Sequence, residues 1–459
     1  AIILVGVYAF FLQLFNGHAV TGMRDNVVWG VYIINFIFLL EHIIFRAVNG
    51  SIFFNRRRRV KMKLKLSFLA VMALTLLVAA GPAFSADTQE LERKIDLLSD
   101  EVDDLKSRGI GAGTTDHNRV SVHGYGELHL NHVPGRGDTQ IDNHRFAIGV
   151  HALLTDWIHL NAEFDFEHGA QELELELAYL DFLLDSAFNV RAGVMLAPVG
   201  LLNETHEPNL FWTVERPLLQ ERLIPTSWNG GGAGIFGTPM DGVSYRVYAM
   251  NSLQSIAKAG ASAGAGNGNG GATSAFDNNG IRGGRGQVNN RIADDFSVFA
   301  RVELTRLFPG LQVGLSVVNG DTTHDIIDEG GNMTLLEADV RYRWNWFDMN
   351  ASIVNIDVDD AAALNTFCAT STGCSGGIAE NNFGYNIQAG IHLPQLLGWK
   401  TSHDIIPHFM FERVRTQDEM PTGTAANRAR NRDEVYTFGV AYLPTPSVSL
   451  KTDYTVTKL

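Results

Sequence analysis

Leu336-Glu337-Ala338-Asp339-Val340-Arg341-Tyr342-Arg343-Trp344-Asn345-Trp346 places Leu, Ala, Val, Tyr and two Trp on one side of an extended chain, and Glu, Asp, two Arg and Asn on the other. Period two is strand geometry, because successive side chains leave a pleated strand on opposite faces. Ile158 to Glu167 repeats the pattern: Ile158, Leu160, Ala162, Phe164 and Phe166 face away from His159, Asn161, Glu163, Asp165 and Glu167. Half-buried strands of soluble sandwiches also alternate. Alternation this long, with one face this charged and no helical partner, suits a barrel with lipid outside and water inside. Trp344, Trp346, Tyr436 and Tyr442 at strand ends fit interfacial girdles.

The pattern recurs along the chain. Candidate strands lie at 119–132, 144–155, 157–168, 172–184, 188–196, 232–238, 242–250, 295–306, 310–319, 333–346, 348–358, 382–393, 403–415, 433–444 and 446–457, fifteen in all. Single-chain bacterial barrels have even strand numbers, so a sixteenth strand is expected. The fold expected is an all-β transmembrane antiparallel barrel over 119–459. Links after strands 1, 5, 7, 9, 11 and 13 are long, whereas tight turns follow strands 2, 4, 6, 8, 10 and 14, as at Phe308-Pro309-Gly310 and Pro444-Thr445-Pro446. This parity matches short periplasmic turns alternating with longer outer loops. The short link after strand 3 and the long one after strand 12 fit it less well.

Upstream of the strands the chain reads in three pieces. Met62 opens a secretory signal peptide at 62–85: Lys63 and Lys65 are its charged region, Leu66 to Ala80 its apolar region, and Ala83-Phe84-Ser85 its cleavage site, so a mature chain is expected from Ala86. At 87–107, Leu91, Ile95, Leu98, Val102 and Leu105 alternate spacings of four and three, the seam of a short coiled coil within 86–118. Residues 1–61 hold two hydrophobic helices. There Val20-Thr21-Gly22-Met23-Arg24-Asp25-Asn26-Val27-Val28-Trp29-Gly30 with Tyr32-Ile33-Ile34-Asn35-Phe36 resembles the start of the polysulfide-reductase NrfD-like membrane subunits. That resemblance, over about a tenth of the chain, implies a fragment of a quinone-linked redox subunit; two helices do not build such an enzyme.

Charge narrows the partners. The net charge is -14, and residues 1–86 hold nine of the 36 basic residues but two of the 50 acids, leaving 27 against 48 downstream. A part at -21 is unsuited to nucleic acid, which needs a basic surface. Cys368 and Cys374 can close a disulfide in an oxidising compartment or remain free thiols. Two cysteines without a nearby histidine do not complete a zinc tetrahedron, so no metal site is expected, nor any cofactor.

Strand parity turns Arg145, Arg191, Arg246, Arg301, Arg341 and Arg343 inward together with Glu163, Asp165, Glu167, Glu174, Glu176, Glu303, Glu337 and Asp339. Acids dominate strands 3 and 4 and arginines several others. Opposed walls would set a transverse field across a pore; alternatively, neighbours such as Glu303 and Arg301 or Glu337 and Arg341 pair across strands and stiffen the wall. The third outer loop, 197–231, carries Glu204, His206, Glu207, Glu215, Arg216, Glu221 and Arg222 and is the candidate constriction, the other reading being a rim cap. The Gly-, Ala-, Ser- and Asn-rich stretch 259–273 reads as filler, and Gly280 to Gly286 as a basic rim patch. His123, Glu127 and His129 share an inward face, but spacing ties no serine or second carboxylate to them, so catalysis is not expected.

Gly124-Tyr125-Gly126-Glu127-Leu128-His129, His144-Arg145-Phe146, Ala197-Pro198-Val199-Gly200, Asn203-Glu204-Thr205-His206-Glu207-Pro208, Val214-Glu215-Arg216-Pro217 and Gly280-Ile281-Arg282-Gly283-Gly284-Arg285 resemble the phosphate-selective porin O and P type over about 87–459. The resemblance implies an outer-membrane homotrimer in a Gram-negative bacterium, surrounded by lipid and lipopolysaccharide. It implies water-filled channels passing small solutes or ions, each narrowed by its third loop. The mixed lumen departs from the Lys- and Arg-rich lining expected of a phosphate pore. A structural protein linking the outer membrane to the cell wall is the alternative.

Overall fold

Antiparallel pairing of each strand with its neighbour in sequence builds one fifteen-stranded sheet in the order β1 to β15. The strands are β1 Val120–His132, β2 Thr139–Leu153, β3 Ile158–Glu167, β4 Glu172–Leu183, β5 Asn189–Leu196, β6 Asn229–Met240, β7 Val243–Asn251, β8 Phe296–Leu304, β9 Leu311–Asp321, β10 Asn332–Trp344, β11 Phe347–Val358, β12 Asn381–Ile391, β13 Asp404–Glu419, β14 Asp433–Thr445 and β15 Val448–Lys458. Three short helices interrupt the links: α1 Leu218–Arg222, α2 Ala361–Thr370 and α3 Leu393–Leu397. This structure, a computed structural model, describes residues 119–458 except 134–138, 226, 258–274, 286–287, 289–291, 329, 372–373 and 427–432. The hydrophobic segments of 1–61, the signal peptide, the coiled coil and the stretch 259–273 lie outside the described residues.

All fifteen expected strands are present, with three boundary shifts of three residues or more. β2 begins at Thr139 rather than 144, because the hairpin ladder runs on to His132 opposite Thr139. β6 begins at Asn229, opposite Leu196. β13 continues to Glu419, opposite Asn381. Polar residues hide these extensions from a reading by alternation. The Phe308-Pro309-Gly310 turn needs its glycine: at φ 77°, a Cβ on Gly310 would lie 2.0 Å from the Arg343 carbonyl oxygen.

The two faces of the sheet are inverted relative to a soluble protein. Phe146, Phe164, Leu173, Val247, Val298, Leu315, Ile387, Phe409, Phe438 and Leu450 are exposed on one face. Arg145, Glu163, Asp165, Arg301, Glu337, Asp339 and Glu412, from the other face, are buried. An exposed apolar face spanning most strands is the surface of a transmembrane barrel, not of a monomer in water.

Curvature follows from one loop. Residues 197–228, between β5 and β6, touch β1 through His129, β4 through Glu176, β7 through Arg246, β13 through Glu412 and β15 through Asp453. A single segment reaches both edge strands and the strands between only if the sheet curls around it. Among the described residues β1 and β15 are not paired with each other, and residues 208–215 of this loop bridge the seam from inside.

Leu315→Arg, near the middle of β9 and 38 % exposed, is expected to destabilise the barrel by about 2–4 kcal/mol, the cost of a cation at the bilayer midplane. Denaturant titration of the protein folded into phosphatidylcholine vesicles measures it.

Candidate functional site

The interior site is the third loop and the wall it meets. The loop's two ends are tied by Asn203, whose Nδ2 donates to the carbonyls of Ala197 (2.8 Å) and Trp228 (2.9 Å) while its Oδ1 accepts from the Trp228 N–H (2.8 Å). Its far part forms α1, whose first turn rests on the buried Glu412 of β13: the Leu218 and Leu219 N–H groups donate to that carboxylate at 2.9 and 3.1 Å. A carboxylate there satisfies free amides at the helix start. Leu219 and Leu223 press onto Gly384 of β12, where a Cβ would lie 2.8 Å from both side chains.

Two loop residues, Glu204 and His206 on either side of Thr205, reach two different stretches of the wall. Glu204 Oε1 pairs with Arg246 Nε of β7 (3.2 Å), and Arg246 Nη1 with Glu303 Oε2 of β8 (2.9 Å). Glu303 also holds Arg301 (3.0 Å), whose Nη1 reaches Asp339 (2.6 Å), Ser316 Oγ (2.8 Å) and Glu337 (3.3 Å). Gly314 leaves room for this group, since a Cβ there would stand 2.3 Å from Arg301 and 2.5 Å from Asp339. His206 faces the other stretch, 3.5 Å from Glu163 and 3.8 Å from Glu176. Beside it Arg145 gathers Glu127 (2.9 Å), Glu167 (3.2 Å), Asp165 (3.3 Å) and Glu176 (3.8 Å). Burial pushes the Glu204 carboxyl up against the pull of Arg246. Burial would lower the His206 imidazole, but the carboxylates of Glu176 and Glu163 raise it on balance.

The rest of the loop is fixed at the seam. The Val214 N–H donates to Asp453 Oδ2 (2.5 Å), and Lys451 Nζ donates to the Pro208 carbonyl and, at 3.1 Å, to that of Thr213. Glu215 accepts from Asn131 (2.9 Å) and meets His129 Nδ1 (3.1 Å). Arg216 donates to Ser227 Oγ and the His206 carbonyl, both at 3.4 Å. The Glu207 backbone carbonyl accepts the Leu210 N–H at 3.0 Å. Glu221 and Arg222 form the last turn of α1, where the Glu221 carbonyl accepts from Arg282 (3.1 Å).

The expected inward residues therefore divide. Arg145, Asp165, Glu176, Arg301, Glu337 and Asp339 are buried within ion-pair networks rather than open to a lumen. Arg191 is clamped by Asp181 at 2.7 and 2.9 Å and lies over the Tyr179 ring at 3.9 Å. Glu174 stands opposite Asp165 in the β3 and β4 ladder. Arg341 and Arg343, at the turn end of β10, stay 42 and 58 % exposed around the buried Asp348. The expected pair of Glu337 with Arg341 is replaced by Glu337 with Arg301, which comes from β8 across β9.

One further expectation changes. The Gly280 to Arg285 segment is not a rim patch: Arg282 and Arg285 donate to the third loop's Glu221 and Ser227 carbonyls, and Ile281 is buried. Leu253, Ile256, Phe276 and Ile281 of the fourth loop pack with Leu219, Leu223 and Ile224 of the third and Leu364 and Ile378 of the sixth, a core inside the sheet. The Cys368 and Cys374 sulfurs are bonded, at the end of α2 in that sixth loop. Sequence reasoning missed Asp181 and Asp348, which pair with arginines of the neighbouring strand, and Glu412, Lys451 and Asp453, whose partners lie in the third loop some 190 to 240 positions away. It also expected no metal-ligating set, whereas His129, His144 and Glu215 converge within 4.8 Å.

No family model matches the chain. An uncharacterized protein of Aquifex aeolicus (strain VF5) is 27 % identical over 350 residues, covering 73 % of this chain and 75 % of that one. Among solved structures, the chain is similar to Salmonella typhi OmpF in complex with daunomycin (TM-score 0.46, 10 % identity, 73 % of this chain and 89 % of that one). It is also similar to the outer membrane channel DcaP of Acinetobacter baumannii (TM-score 0.43, 11 % identity, 75 % and 93 %).

Arg301→Met leaves Glu303, Glu337 and Asp339 without their shared cation and is expected to cost about 3–5 kcal/mol. Arg306→Met, which removes an exposed pair with Asp241, should cost less than about 1 kcal/mol. Denaturation midpoints in vesicles compare the two. The hydrogen bond with His129, helped by that from Asn131 and opposed by burial, pulls the Glu215 carboxyl down to about 2. A depressed carboxyl stabilises the fold above its ordinary value of 4.5 and loses that contribution as pH falls toward about 2. A fluorophore on Leu210→Cys should report release of the loop in that acid window, and Glu215→Gln should abolish the step.

Proposed function

We propose that this chain is a passive channel of a Gram-negative outer membrane, conducting small hydrophilic solutes or ions past an inward-folded third loop. One observation carries the reading: a sheet apolar outside and charged inside encloses a loop bearing Glu204 toward one stretch of the wall and His206 toward another. The phrases resembling the phosphate-selective porin type lie largely on this loop and its contacts, which supports a porin of that general kind. A homotrimer fits the coiled-coil seam at 87–107, and lipid and lipopolysaccharide fit the apolar face and the acidic loops.

Solute charge follows from which groups stay open. Arg145 and Arg301 gather most of the acids around them, whereas Arg341 and Arg343, beside Asp348, remain 42 and 58 % exposed, which favours anions at the turn end. The apolar packing of the third, fourth and sixth loops supports a second reading, an anchoring protein whose lumen is closed.

Planar-bilayer recording separates them. A channel gives stepwise conductance and, in a salt gradient, a reversal potential of anion preference that moves toward cations in Arg341→Glu with Arg343→Glu. Absence of steps from folded protein favours the anchor.

A further inference from the structure

We infer that His129, His144 and Glu215 form a binding site for a divalent transition metal ion, of the zinc or cobalt type, which pins the third loop to the β1 and β2 wall. A β-bulge builds it. Glu127 pairs with Arg145 but Leu128 with Asn143, so His144 is the extra residue of β2. Without that insertion, period two would turn Asp142 and His144 to the opposite face from Arg145. With it, all three serve the interior, and a bulge that re-aims a side chain is a common device near functional sites.

The donor geometry fits. One ligand atom from each of His129, His144 and Glu215 lies within 4.8 Å of the others. His129 Nδ1 is 3.1 Å from Glu215 Oε1, and the His129 and His144 rings stack with centroids 4.4 Å apart. Bonds of about 2.0–2.1 Å in a tetrahedral zinc site place donors roughly 3.3 Å apart, so small side-chain shifts complete the set. The orienting partners are also present. His129 Nε2 rests on Glu127 at 3.1 Å, the carboxylate partner that typically fixes a ligating imidazole and leaves the other nitrogen free for metal. His144 Nδ1 lies 3.3 Å from Asp142 Oδ2, which His168 also meets at 2.9 Å.

Two imidazoles and one carboxylate favour a borderline cation over calcium or magnesium, which prefer oxygen-rich shells. His129 is buried, with 7 % of its side chain exposed, while Glu215 is 55 % exposed, giving a fixed floor and an open entry.

Cobalt(II) absorption and zinc calorimetry on the folded, detergent-solubilised protein test the assignment, with folding checked by heat-modifiable gel migration. One equivalent is expected. His144→Ala and Glu215→Gln should each weaken binding at least about tenfold, and His168→Ala by less than about threefold, because His168 contributes only through Asp142. Absence of binding by the unaltered protein, or binding indifferent to both His144→Ala and Glu215→Gln, overturns the site. Loss in His168→Ala with Glu215→Gln unchanged also overturns it, moving the metal to Asp142, His144 and His168. These readouts do not depend on conduction, so their failure is separate from failure of the channel reading.

Discussion

The third loop stays inside because its charges answer those of the walls. Glu204 meets the arginines of β7 and β8, and His206 meets the acids of β3 and β4. Ion pairs are expensive to bury, and each is tolerable only when the partners and their hydrogen bonds are all in place. The loop completes networks that the strands leave unfinished. Remove it, and the barrel's interior would present unbalanced carboxylates and guanidinium groups to each other; hence wall and loop are one electrostatic unit.

That unit favours wall pairing over a transverse field. Each basic strand lies among acidic ones: Arg145 of β2 beside the acids of β1, β3 and β4, and Arg301 of β8 beside those of β8 and β10. Most of their charge is consumed locally, by Arg145 among four carboxylates and Arg301 among three. What remains open is a small residue of the inventory, chiefly Arg341 and Arg343. Counting charges by parity overstates what stays exposed in the interior.

The strands were legible because lipid and interior impose period two on every segment, and fifteen of fifteen appear in their expected order. The polar start of β2, Thr139 to Asn143, carries little of that signal and read as loop. The charged loop residues were recognisable by type, but their partners were not: Glu204 and Arg246, or Glu215 and His129, meet only once the sheet has curled. Bulges escape alternation altogether, because one inserted residue re-phases everything after it. The His144 cluster was invisible for that reason, and the apolar packing of α1 against Gly384 because it joins segments some 165 positions apart.

Lys451 and Asp453 grip backbone groups of residues 208 to 214, some 240 positions earlier in the chain. A loop between β5 and β6 thus receives one of its fastenings from the final strand described. Until β15 arrives, the segment that crosses the seam has one bank and not the other. Closing so long a contour is slow compared with forming hairpins between neighbours. Sheet growth can proceed strand by strand, but the interior acquires its finished form only at the end, so maturation of the lumen is a late event separate from the laying down of the wall.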